Sequence, residues 1–122
     1  MALSGKLQTR LIWGIRILLA VAFGAAGSAK LAGVPQMVAV FDAIGIGQWF
    51  RYLTGGIEVF GAVLLLVPAT GFWAGLLLGG TMLGAVAAHL FVIPGSPVPA
   101  IVLGTLCAIL VFNLRPANLR SA

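Results

Sequence analysis

The sequence predicts an all-α integral membrane protein. One domain over residues 1–122 forms a four-transmembrane-helix bundle, with a short interfacial helix between the first and second spans. Three observations carry this. Of 122 residues, 61% are hydrophobic and 7% charged, against about 25% charged in a soluble domain, so in water the chain would expose far too much apolar surface. At roughly 20 residues per crossing, the length leaves room for four helices. The mean hydropathy is +1.18.

The first span runs from about residue 11 to 29, with Arg16 just inside its start. Lys6, Arg10, the apolar run that follows and the small residues Gly27, Ser28 and Ala29 also look like a secretory signal peptide. Three further apolar stretches follow, so the segment is expected to stay as an uncleaved anchor. Beyond Lys30 the chain is only half apolar: Pro35 can open a helix, Met37, Val38, Phe41 and Ile44 recur near helical spacing, and Gly45 and Gly47 break it. This is the expected interfacial helix, with Trp49 and Tyr52 as anchors at the headgroup level. The second span, about 51–67, stops at Pro68, and the third covers about 72–93. Only Pro-Ala-Thr-Gly separates them, so they form an antiparallel hairpin. Ser96 is placed to cap the fourth span, about 97–114, with Pro97 at its first position.

Lys6, Arg10, Arg16, Arg115 and Arg120 lie on the side that holds both termini, and Lys30 and Arg51 lie on the other. The bias favours a multi-pass protein with both termini cytoplasmic. The net charge of +5 comes from few, scattered basic residues, and aromatic residues are not interleaved with them as a base-stacking platform would need, so no nucleic acid is expected. The lipid bilayer is the expected partner of that charge. Gly75, Gly79, Gly80 and Gly84 give the third span two small-xxx-small pairs, and on that ground it is expected to be the tightly packed centre. The lone Cys107 can form no internal disulfide and reads as a small buried apolar residue.

The chemistry is concentrated in Lys30, Arg51, Glu58 and His89, which sit inside or at the ends of apolar stretches. An isolated charge in hydrocarbon costs several kcal/mol, so such residues mark a site by default. Lys30 closes the first span and Arg51 opens the second. At 1.5 Å per residue, Glu58 lies roughly 10 Å and His89 roughly 6 Å inside the same boundary. The plainer reading is that Glu58 neutralises Lys30 or Arg51 and locks helices together, with His89 a packing residue. The sharper reading is a ligand-binding or proton-linked pocket. Desolvation disfavours a buried carboxylate and a nearby cation favours it, histidine changes charge near neutrality, and together they could hydrogen-bond a quinone whose tail lies along apolar helix faces. One histidine, one cysteine and two carboxylates make a poor metal site, so none is expected, nor is any covalently bound cofactor. No phosphate-binding loop or nucleophile triad is readable, so no catalytic residue is assigned.

Several motifs occur in a set order. Arg16 opens the first span and Gly27-Ser28-Ala29-Lys30-Leu31 closes it; Pro35 and Ala43-Ile44-Gly45 follow. Gly56-Ile57-Glu58-Val59-Phe60-Gly61-Ala62 comes next, then Leu64-Leu65-Leu66, and finally Met82-Leu83-Gly84-Ala85 before His89. From about Arg16 to Leu110 the chain resembles the DoxX-like family of small four-helix bacterial membrane proteins. The resemblance implies a loose link to respiratory or sulfur oxidation, with Lys30, Glu58 and His89 as the candidate site. It makes the chain a subunit or quinone/lipid-binding module of a membrane redox assembly, not catalytic alone, with other membrane subunits or further copies of itself as partners. Two alternatives stay open: a quinone-reducing subunit of thiosulfate:quinone oxidoreductase type, and a purely structural accessory subunit of a larger membrane complex.

Overall fold

The computed structural model describes residues 5–117, and every regular element in them is helical. Helix α1 covers Gly5–Ala32, α2 covers Pro35–Ile44, α3 covers Trp49–Leu66, α4 covers Gly71–Phe91 and α5 covers Val98–Asn113. One turn of 3₁₀ helix, Pro68–Thr70, joins α3 to α4, so the expected tight turn is there. The fold is a helical membrane bundle. The α1 and α3 helices and the segment Pro68–Phe91 are each long and apolar enough to cross a membrane. Helix α5 is apolar but has 16 residues, a rise of roughly 24 Å, and falls short of a full hydrocarbon thickness.

Proline and glycine set the boundaries. Helix α1 ends in a Schellman motif: Gly33 takes φ +71°, its N–H donates to the Lys30 carbonyl, and Val34 N–H donates to the Ala29 carbonyl. Pro35 stands at the start of α2, and Gly45, at φ 86°, ends it with its N–H on the Phe41 carbonyl. Ser96 Oγ accepts from Val98 N–H at 3.1 Å, but α5 opens one residue later than expected, with Pro97 in place of Ser96 at the N-cap. The start of α1 and the end of α5 lie together, since Gln8 Nε2 donates to Asn113 Oδ1 at 3.0 Å. Both ends of the described chain are therefore at one end of the bundle, called here the termini end. Arg120, counted in that flank, lies outside the described residues.

The core is built from Ile12, Leu19 and Phe23 of α1, Leu65 of α3, Leu78 of α4 and Leu110 of α5. Helix α1 buries residues along its whole apolar length and is an integral part of the bundle.

The expectation that α4 is the tightly packed centre is overturned. The closest helix crossing is between α1 and α3, where a Cβ on Gly27 would stand 2.7 Å from the Gly55 carbonyl oxygen and one on Gly55 would stand 2.9 Å from that of Gly27. Gly61 of α3 gives Leu78 its place, with a built Cβ 2.6 Å from the leucine side chain. On α4, Gly75 and Gly79 do pack against α5 near Cys107, but a Cβ on Gly80 or Gly84 would meet nothing within 4 Å. Small residues at helical spacing permit close approach without dictating it. Cys107 itself is fully buried, as expected of a small apolar residue.

Candidate functional site

A helical side chain leans toward the N-terminus of its own helix. In the antiparallel pair α1/α3 this has two consequences. Lys30 lies three residues after Gly27 and Glu58 three residues after Gly55, on opposite sides of the glycine crossing, so each leans back toward the other. Lys30 Nζ meets Glu58 Oε1 at 2.8 Å. The two arginines lean outward instead, each toward the partner helix's C-terminal end, where carbonyls lack intrahelical donors. Arg16 of α1, 3% exposed, donates from Nε to the Leu65 carbonyl at 2.7 Å and from Nη2 to the Val67 carbonyl at 2.6 Å. Arg51 of α3, 6% exposed, donates from Nη1 to the Lys30 carbonyl and from Nε to Gln48 Oε1 at 2.6 Å. Each guanidinium also lies over a neighbouring ring, Trp13 for Arg16 and Tyr52 for Arg51.

The four sequence candidates thus divide. Lys30 and Glu58 form a buried ion pair. Arg51 stays out of it and caps α1. His89 stands across a cavity from them, with Nδ1 3.2 Å from the Pro94 carbonyl oxygen. Cation choice could not be read from spacing, because Lys30 and Arg51 sit at one depth. What distinguishes them is the lean of each side chain relative to the crossing.

The cavity has a volume of about 460 Å³ and lies between α2, α3, α4 and the loop after α4. Lys30, Gln36, Thr54, Glu58, Thr81 and His89 supply its polar wall, and Met37, Phe41, Phe50, Met82, Ala85 and Ile93 are among its apolar lining. Met82, Ala85 and His89 share the helix face their spacing implies. Glu58 is 2% exposed. Its contact with Lys30 has the length of an ion pair, but among the described residues Oε1 has no partner with hydrogen-bond geometry. The 2.8 Å contact neutralises the carboxylate, and an oxygen with two lone pairs keeps capacity for a further donor beside the ammonium.

Helix α2 roofs this cavity. It is held by Phe41 against Phe50, ring centroids 5.8 Å apart, and by Gln48, whose Nε2 donates to the Val38 carbonyl at 3.0 Å and to Asp42 Oδ1 at 2.8 Å. Gln48 therefore joins the roof to Arg51 and so to the end of α1. Its role was not read from the sequence, although its position three residues before Arg51 on the same helical turn is the signal that carries it. Arg16 was read only as a flanking charge.

A second, larger hollow of about 670 Å³ runs between α4 and α5, lined by Gly79, Leu83, Ala100, Gly104 and Ala108, with Arg115 at one end. Among the described residues that line it, none is a buried charged group comparable to Glu58.

The model of the DoxX-like family matches residues 15–112, most of the chain and all of the site, and the protein belongs to that family. No curated protein and no solved structure matches it.

Proposed function

We propose that this DoxX-like chain is a non-catalytic module of a bacterial inner-membrane redox assembly, and that the cavity beside Glu58 seats the headgroup of a quinone or a similar amphipathic lipid. The observation that carries the reading is a buried carboxylate with an open acceptor on the wall of a mainly apolar cavity of about 460 Å³. That volume lies in the usual range for small-molecule sites, which combine apolar walls with a few placed polar groups. Exposed Lys6 and Arg10 and half-buried Arg115 at the termini end, against the paired Lys30 at the other, favour cytoplasmic termini. The cavity then lies in the outer half of the bilayer, open to lipid-soluble ligands. Partners are other membrane subunits or further copies of the chain.

The test is purification from bacterial membranes in mild detergent, followed by solvent extraction and mass spectrometry of bound lipids. Wild-type protein should carry a quinone in near-stoichiometric amount, and Ala88→Phe, which fills the cavity from α4, should not. If the wild type carries none and binds none when a short-tailed quinone is added, Lys30 and Glu58 serve only to join α1 and α3, and the chain is a structural subunit.

A further inference from the structure

Hydrogen-bond roles around the cavity are unevenly distributed, and the imbalance says what the ligand must offer. Glu58 Oε1 is an acceptor with no directed donor among the described residues. The Thr54 hydroxyl donates to the Phe50 carbonyl at 2.8 Å and the Thr81 hydroxyl to the Leu77 carbonyl at 2.9 Å, so each has spent its proton on its own helix and turns only lone pairs elsewhere. The Pro94 oxygen beside His89 Nδ1 can only accept, so Nδ1 spends its proton on that carbonyl and not on the cavity. Lys30 is the donor beside the carboxylate, and it already faces Glu58 at 2.8 Å; Gln36 lines the exposed rim, where its amide offers an acceptor as well as a donor.

We infer that the cavity selects a ligand bearing hydroxyl donors, so that, on the quinone reading above, it holds the reduced hydroquinone in preference to the oxidised quinone. A phenolic hydroxyl can donate to Glu58 and accept from Lys30 at once. A quinone carbonyl can only accept; it competes with Glu58 for Lys30 and leaves the carboxylate oxygen, and the lone pairs of Thr54 and Thr81, facing further lone pairs. Leaving one buried acceptor unpaired is enough for a difference of roughly tenfold in affinity. The chain thereby favours the product side of quinone reduction without exchanging electrons itself.

The experiment compares equilibrium binding of three probes to the full-length wild-type protein in detergent under anaerobic conditions. They are a short-tailed benzoquinone, its two-electron-reduced hydroquinone, and the dimethyl ether of that hydroquinone, which keeps the shape and loses both donors. The hydroquinone should bind roughly tenfold more tightly than the quinone, with the ether no better than the quinone. Glu58→Gln places an amide N–H where only an acceptor stood, and should narrow the preference to about twofold or reverse it. Its helicity and melting are followed alongside, and the wild-type ratio decides the matter if that variant does not fold. Equal or tighter binding of the quinone by the wild type overturns the selectivity and leaves the binding site standing. Failure of all three probes to bind overturns the site itself.

Discussion

The two ends of the α1/α3 pair solve the same problem and then part company. At the termini end Arg16 of α1 satisfies the last carbonyls of α3, and at the opposite end Arg51 of α3 reaches the Lys30 carbonyl at the end of α1. The termini end stops there. Thr70 Oγ1 takes the Leu64 carbonyl at 2.7 Å, and a Cβ on Gly71 would stand 2.7 Å from the Arg16 guanidinium, so the space is closed. The opposite end adds Lys30, Glu58 and His89 around an open volume. Capping two helices needs one arginine each. A carboxylate beyond that need, held in the bundle at the edge of a cavity, is the feature that capping does not explain.

This contrast can be broken in graded steps. Arg16→Met should cost the most, about 4 kcal/mol in a reversible detergent unfolding titration, because a buried and a part-buried carbonyl lose charged donors at once. It should leave hydroquinone binding within twofold of wild type. Arg16→Lys should recover little, since an ammonium cannot hold two carbonyls in a planar fork. A large loss of binding in a folded Arg16→Met protein would mean that the two ends are not separate in role.

At the opposite end, Glu58→Leu should cost about 3 kcal/mol, because it leaves Lys30 buried without its partner. Glu58→Gln should cost less, since it keeps the shape and an acceptor oxygen. Equal losses for the two substitutions would show that the charge of Glu58 does not matter to the fold.

Between the ends lies the glycine crossing. Gly27→Ala should cost about 2 kcal/mol, because its new methyl would press on the Gly55 carbonyl and on Val59 of α3. Gly80→Ala on α4, where nothing stands within 4 Å, should be neutral or slightly stabilising through helix propensity. Thermal melting of the two single variants separates them directly.

How much of this was legible in the sequence follows from what each feature depends on. Helix boundaries at Pro35, Gly45 and Pro68, and to within one residue at Ser96, were readable because they rest on local backbone chemistry. That Glu58 would need a partner was readable too, since hydrocarbon makes an isolated carboxylate too costly. Which cation it takes was not, because that depends on which way two antiparallel helices make their side chains lean. The glycines of α4 misled for a related reason. Spacing identifies a face that could pack closely, but only the three-dimensional arrangement shows that the Gly27 and Gly55 faces meet while those of Gly80 and Gly84 face open space. A pocket beside Glu58 was readable, but its roof was not, because α2 is positioned by Phe41 on Phe50, by Gln48 and by the turn glycines.

The central claim is that Lys30 and Glu58 serve a ligand as well as the fold, and the double variant Lys30→Met/Glu58→Leu tests it most directly. Replacing both members of a buried pair with apolar side chains of similar size removes the unpaired charge and is often neutral for stability. The double variant should therefore melt close to wild type, well above Glu58→Leu alone, while its affinity for the short-tailed hydroquinone falls by roughly tenfold or more. A double variant that folds like wild type and still binds the hydroquinone within twofold would contradict the claim and reduce the pair to a helix lock.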